Sequence, residues 1–238
     1  MQPLHADTLA KLKQVSTSTL TTQLFKRGLR NVFVQGVHRL SRPAATLAGE
    51  AYTLRYIPAR EDIDRIDVLG DPEHPQRKSI EVTPAGQVLI IDCRKETRAA
   101  SAGHILITRL HMRGVAGLVT DGCLRDAASI AEMDFPVFCA GASAPLNLVC
   151  HHAVEANVPI ACGDVAVYPG DVVVGDGDGV VIIPRHLADE VARDTLEQDA
   201  LEEFVLQEIR SGKPLRGIYP PNDDTRARFE TWRKRGKP

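Results

Sequence analysis

Three short apolar runs constrain this chain most: Val88-Leu-Ile-Ile-Asp92, Val115 to Thr120, and Pro136-Val-Phe-Cys-Ala140. A short apolar run bounded by turn residues reads as a buried strand. Pro84-Ala-Gly-Gln87 turns into the first run, and Asp121-Gly122 turns out of the second. Between the runs lie helix signals, from about His104 to Met112, stopped by Gly114, and from about Asp126 to Met133. Strand and helix alternating at this spacing predict βαβ units and an α/β fold. Gly49 to Ile57 adds a strand of alternating pattern, with Tyr52, Leu54 and Tyr56 on one face.

The flanking segments have a different texture. Asp7 is expected to cap a short helix through Val15. Ser16-Thr-Ser-Thr19 is expected to cap a second, with Leu20, Leu24 and Phe25 as its apolar stripe and Gly28 as its stop. Pro58 to Lys78 is polar and proline-containing, and reads as an excursion from the core. Beyond residue 157, Val165 to Tyr168, Val172 to Val174 and Val180 to Ile183 are short strands. Pro169-Gly-Asp171 and Asp176-Gly-Asp-Gly179 are the tight turns between them. Leu187 to about Ser211 is one long helix, stopped by Gly212 and Pro214. The tail from Ile218 carries Tyr219, Phe229 and Trp232, so it packs on the domain or wraps a neighbouring subunit. The expectation is one domain over residues 1–238, with a core of about 16–186 and a helical extension over 187–238.

Charge and cysteine content exclude some roles. The formal net charge is −2, which gives no field for nucleic acid or a membrane surface. Of the 29 cations 21 are arginine, a residue that grips carboxylates with two parallel hydrogen bonds, though a GC-rich genome also explains the bias. Five cysteines without a Cys-x-x-Cys pattern read as reduced, buried thiols of a cytoplasmic protein. No stretch is apolar enough to span a membrane, and Met1 to Asp7 lacks the basic and apolar regions of a signal peptide.

Two constellations carry chemistry. In Gly114-Val-Ala-Gly-Leu-Val-Thr-Asp-Gly-Cys-Leu-Arg-Asp126 a buried strand ends, and a charged pair opens the next helix. Ligands of α/β folds bind beyond the carboxyl ends of strands. Arg125 can fork onto an oxo acid and Asp126 can hold Mg²⁺ or Mn²⁺; equally, Asp126 can be a helix cap beside a surface arginine. The second constellation is Ser101-Ala-Gly103-His104, where a helix starting after glycine offers free N–H groups to an anion. His104 lies 21 positions before Arg125, and can shuttle a proton, ligate metal, or be satisfied by backbone. Other motifs carry less. Cys150-His151-His152 is not zinc spacing, Asp176 to Gly179 lacks the closing acidic residue of a calcium loop, and Gly141 to Pro145 is not a nucleophile elbow. The eight lysines avoid the apolar strands, which disfavours a Schiff base and favours metal for carbon–carbon chemistry.

These segments, together with Tyr168-Pro-Gly-Asp171 through Ile183-Pro184, resemble the RraA-like family from about Thr19 to Gly212. The family holds regulators of ribonuclease E activity and metal-dependent 4-hydroxy-4-methyl-2-oxoglutarate/4-carboxy-4-hydroxy-2-oxoadipate aldolases. The resemblance implies a β/β/α swivelling-type sandwich, assembled as trimers or hexamers with the site between subunits. It implies that the aldolase pattern, an acidic residue followed after twenty positions by Arg-Asp, falls on Arg125 and Asp126, with His104 at the acidic position. It also implies that the backbone from Gly103 through His104 and Ile105 to Leu106 binds the pyruvyl carboxylate, with Arg125 at the carbonyl oxygen. Asp126 then holds Mg²⁺ or Mn²⁺, and Arg125 and His104 act in catalysis. The implied activity is that of a class II lyase of 2-oxo acids, releasing pyruvate by retro-aldol cleavage or oxaloacetate decarboxylation. The alternatives are a hydro-lyase of sugar-acid catabolism and a non-catalytic regulator of ribonuclease E-type partners. Histidine at 104 implies weaker metal affinity or a different substrate, with the excursion from Pro58 to Lys78, which has Arg55 and Arg60 near its start, tuning which acid binds.

Overall fold

The computed structural model describes residues 4–42 and 45–234. Helix α1 (Ala6–Leu12) is capped by His5, whose ring accepts the Asp7 N–H, while Asp7 pairs with Lys11 one turn on. Helix α2 (Thr17–Lys26) is capped by Ser16, which accepts the Thr19 N–H, and Gly28 follows it at φ 84°. Leu20 and Leu24 are buried, but Phe25 lies outside the expected stripe and is exposed. Strand β1 (His38–Arg39) precedes the long strand β2 (Leu47–Pro58). The excursion after it is not one loop. It contains a single 3₁₀ turn (Ile66–Gly70) and a helix, α3 (Pro75–Val82). Pro75 stands where a helix tolerates proline, and Gln76, Ser79 and Ile80 turn inward.

The βαβ region follows in order: β3 (Val88–Asp92), β4 (Ala100–Ala102), α4 (His104–Met112), β5 (Gly117–Thr120), β6 (Cys123–Leu124), α5 (Ala127–Ala131), β7 (Val137–Cys139) and β8 (Gly141–Ala142). Then come β9 (His151–Ala156), β10 (Ile160–Cys162), β11 (Val165–Val167), β12 (Val172–Gly175) and β13 (Val180–Ile183), and finally α6 (Ala188–Arg210) and α7 (Asp223–Lys234).

The main sheet runs β1-β7-β5-β3-β2-β12-β13, with β9 also paired to β2. Strands β2, β3, β5 and β7 are parallel, as the apolar runs require. Both faces of β3 are covered. Leu89 and Ile91 join a core with α4 and α5, whereas Val88 and Ile90 join one with the β10–β11 hairpin. A third core lies between β12–β13 and the helices α1, α2 and α6. The result is a mixed α/β sandwich with a curled sheet, as expected. All five cysteines are buried and unpaired.

A second sheet positions the site. Beyond the carboxyl ends of β3, β5 and β7, the chain forms the short parallel strands β4, β6 and β8, which pair with one another. Two buried carboxylates brace this end. Asp121 accepts the N–H groups of Cys93 (2.6 Å), Gly163 (3.1 Å) and Lys95 (3.2 Å). Asp92 accepts those of Arg94 (2.8 Å) and Ala161 (3.2 Å). Burial pushes the Asp121 carboxyl above its ordinary range, against the pull of its N–H partners.

The tail packs on its own domain. Phe204 of α6 meets Phe229 and Trp232 of α7 with ring centroids 5.8 and 5.7 Å apart, and Trp232 donates to Gln207. Glu208 receives Lys213 and Arg228, which hold its carboxyl below the ordinary 4.5. Phe229→Ala removes a buried ring worth roughly 3 kcal/mol in cores. It is expected to raise hydrogen exchange across α7 while leaving the central strands protected. Glu208 has a depressed folded pKa, so its contribution is complete above 4.5 and is lost as pH falls through the lower folded value. Exchange in α7 is therefore expected to rise in acid, with that rise absent in Glu208→Gln.

Candidate active site

Pairing of β4 with β6 brings the two sequence constellations together. Ala102 stands opposite Leu124, and the Arg125 N–H donates to the Ala102 carbonyl at 3.1 Å. Gly103, the next residue, therefore packs against Arg125 and Asp126. A Cβ there would lie 2.8 Å from Arg125 Cγ, closer than real Cβ contacts come, and 3.0 Å from Asp126 Oδ2, which is tight. Any larger residue would push the Arg125 and Asp126 side chains aside; the Gly103 backbone itself is ordinary extended chain at φ −133°.

Asp126 adopts the left-handed conformation, φ 61° and ψ 32°, which aspartate tolerates better than most residues. Its side chain makes no capping bond to α5, the helix it precedes. Instead Oδ2 accepts the His104 N–H at 3.2 Å, at the amino end of α4. Arg125 Nε lies 3.7 Å from the same oxygen. Asp126 is thus a cap, but of the neighbouring helix, and it occupies one of the N–H groups the sequence left free for an anion. Ile107 makes the first bond within α4, to the Gly103 carbonyl at 3.2 Å. The N–H groups of Ile105 and Leu106 have no intrahelical acceptor. The His104 ring is half-buried and has no hydrogen-bond partner among the described residues.

A cleft of about 260 Å³ opens here. One wall holds Gly103, Ile105, Leu106, Arg125 and Asp126. All the sequence-predicted site residues therefore meet at one place, His104 through its backbone. The facing wall was missed by sequence reasoning: Gln76 and Arg77 of α3, Leu69 of the 3₁₀ turn, and Asn147 after β8. The polar excursion pointed to this region, but Arg55 and Arg60 do not line the cleft; they pair with Glu155 (3.1 Å) and Asp62 (2.6 Å).

The secondary motifs have structural partners. His151 is buried and stacked on Tyr56 at 5.2 Å, and burial pushes its ring below the ordinary value. His152 Nδ1 meets the buried Asp64 carboxylate at 2.6 Å. Asp176 accepts the Thr17 N–H and hydroxyl, at 2.8 and 2.7 Å, and so ties the β12–β13 turn to α2. None of the lysines among the described residues is buried. Among the described residues no group of three or more His, Cys, Asp or Glu side chains is placed to hold a metal ion. No helix of the described residues is long and apolar enough to cross a membrane.

Comparison with known proteins agrees with this architecture. A Halalkalibacterium halodurans protein named "Putative 4-hydroxy-4-methyl-2-oxoglutarate aldolase" is 35% identical over 118 residues, 50% of this chain and 56% of that protein. Protein DlpA of Legionella pneumophila is 27% identical over 169 residues, 71% of this chain and 26% of its own length. The chain thus spans less than two thirds of either relative. Among solved structures, Streptomyces coelicolor RraAS2, described as an unusual member of the RNase ES inhibitor RraA protein family, superposes with a TM-score of 0.75 at 27% identity. That match covers 86% of this chain and 98% of the other. An uncharacterized Pseudomonas syringae protein shares the fold with a TM-score of 0.77 at 23% identity, covering 92% of this chain and all of that one. A family model, RraA-like, described as Aldolase/RraA, matches residues 17–182, and the chain belongs to that family.

Proposed function

We propose that the protein is a divalent-metal-dependent lyase of 2-oxo acids that releases pyruvate, by retro-aldol cleavage of a 4-hydroxy-2-oxo acid or by decarboxylation of oxaloacetate. The observation that carries this reading is the contact of Gly103, Arg125 and Asp126 at the amino end of α4. Free N–H groups, a guanidinium and a carboxylate there share one small cleft. The names of its relatives support lyase chemistry at family level.

The donor set fits a magnesium-type ion. Asp126 Oδ2 is engaged, whereas Oδ1 makes no hydrogen bond among the described residues. Such ions are commonly held by one or two carboxylates, with water and ligand oxygens in the remaining positions. When bound, the ion would supply Lewis acidity toward the carboxylate and carbonyl oxygens of the acid. The chain's own groups do the rest. The Ile105 and Leu106 N–H groups hold the carboxylate, aided by the helix dipole. Arg125 donates to the carbonyl oxygen, where charge grows as the C3–C4 bond breaks and its electrons enter the enolate. Water, or the His104 ring once turned toward the cleft that it does not line, takes the proton of the 4-hydroxyl and returns one to C3, giving pyruvate and a carbonyl fragment. In decarboxylation the carbonyl fragment is carbon dioxide, and the same enolate is protonated. Assembly as a trimer or hexamer belongs to this reading. Ile105 and Met112, seven residues apart on α4, are 83% and 75% exposed and would be covered by a neighbour.

Pyruvate release from 4-hydroxy-4-methyl-2-oxoglutarate and from oxaloacetate, followed with lactate dehydrogenase, is expected to need Mg²⁺ or Mn²⁺ and to stop with chelator. Asp126→Ala is expected to fall to background, and Arg125→Met to lose roughly 10²–10³-fold in kcat. Activity that is indifferent to metal, or equal in Asp126→Ala, would sink the reading. Gly103→Ala forces a Cβ against Arg125 and Asp126 and displaces both side chains, and misplacement of about 1 Å can cost roughly a hundredfold, so a fall of up to that size in kcat/KM is expected with the fold retained. His104→Asp adds a second carboxylate and is expected to lower the metal concentration needed for half-maximal activity. A regulator reading is favoured by the likeness to RraAS2. A pull-down with a ribonuclease E-type protein tests it, and absence of binding at micromolar protein would count against it.

A further inference from the structure

The catalytic wall accounts for one end of a bound acid, and the facing wall is built for the other. Arg77 is half-buried there, and its Nε donates to the Leu69 carbonyl at 3.3 Å. Among the described residues no carboxylate lies within ion-pair distance of its guanidinium. Most arginines around this end of the molecule are paired: Arg55 with Glu155, Arg60 with Asp62, Arg98 with Glu96 and Arg109 with Glu81. Two further polar groups beside Arg77 are unsatisfied. Gln76, 2% exposed, donates through Nε2 to the Ser101 carbonyl at 2.7 Å, and its Oε1 has no partner. Asn147, 6% exposed, leaves Nδ2 without an acceptor. Of the two, Asn147 Nδ2 is a donor that an anion can complete, whereas Gln76 Oε1 is an acceptor that an anion cannot. Among the described residues that line the cleft, Asp126 is the one carboxylate, against two guanidiniums. The cleft therefore carries net positive charge with Arg125 at one wall and Arg77 at the other.

We infer that the α3 wall is a second anion subsite, in which Arg77, assisted by the Asn147 amide, takes the distal carboxylate of a dicarboxylic oxo acid. The inference rests on the proposed oxo-acid site and names the feature that selects among such acids. A cleft of about 260 Å³ holds one acid of a few carbons in contact with both walls. Arg77 and Asn147 are positioning residues in this scheme, since neither meets the bond that breaks.

The test is direct binding by calorimetry, with Mg²⁺ present, of two five-carbon acids that differ at the far end: 2-oxoglutarate and 2-oxopentanoate. The wild type is expected to prefer 2-oxoglutarate by roughly ten- to a hundredfold, the range of a charge-assisted hydrogen bond. Arg77→Met is expected to bring the two affinities within about twofold while leaving that for 2-oxopentanoate unchanged, which also reports an intact fold; Arg77→Lys is expected to keep part of the preference. Asn147→Leu is expected to weaken 2-oxoglutarate binding without lowering the melting temperature, because it deletes an unpaired buried donor; a purely structural asparagine would lower it. Equal affinities in the wild type, an undiminished preference in Arg77→Met, or binding of neither acid at millimolar concentration would overturn the subsite. Pyruvate release separates this outcome from the lyase reading. A preference without release keeps the subsite and removes the lyase, and release without a preference does the reverse.

Discussion

The carboxylate of Asp121 holds the carboxyl end of the central sheet in shape. One side chain satisfies three backbone donors, from Cys93 and Lys95 beyond β3 and from Gly163 beyond β10. The Cys93 and Gly163 donors are buried and would otherwise lack partners, whereas the bond to the exposed Lys95 is only partly buried. Asp92 does the same for Arg94 and Ala161. With the turn after β3 fixed, β4 can lie beside β6, and their pairing brings Gly103 against Arg125 and Asp126. The local cost at the site is the left-handed backbone of Asp126. It is offset where the Asp126 carboxylate meets the positive end of α4 and the Arg125 guanidinium.

The central fold was legible because parallel strands buried on both faces leave continuous apolar runs, and β3, β5 and β7 are such runs. Elements that depend on partners elsewhere were not legible. Strands β4, β6 and β8 have two or three residues each, too few to show a period, and exist because they pair with one another. Strand β9 reads His-His-Ala-Val-Glu-Ala and is held by β2, with its buried positions taken by histidine and alanine. Helix α3 hides in polar sequence because what it buries includes Gln76 and Ser79 as well as Ile80.

The candidate site was half legible for the same reason. Gly103, His104, Arg125 and Asp126 stand at strand and helix ends, where sequence marks both the turn and the chemistry. Arg77 is one of 21 arginines, and nothing in the sequence distinguishes it. What distinguishes it is enclosure without a carboxylate, which is a property of the packed molecule. The role of Asp126 was legible in kind but not in partner. A capping carboxylate was foreseen, yet the helix it caps is the one before it in the chain, reached through the β4–β6 pairing.

The five cysteines give the fold a built-in reporter. Each is buried and unpaired, and for Cys93, Cys123, Cys139 and Cys162 burial raises the thiol pKa, to about 11 for Cys139. A thiol must be both reached and ionised before it reacts, and for these four the native packing opposes both. Alkylating probes at these four thiols will therefore read the opening of the sheet and its flanking layers, residue by residue, against a quiet native background.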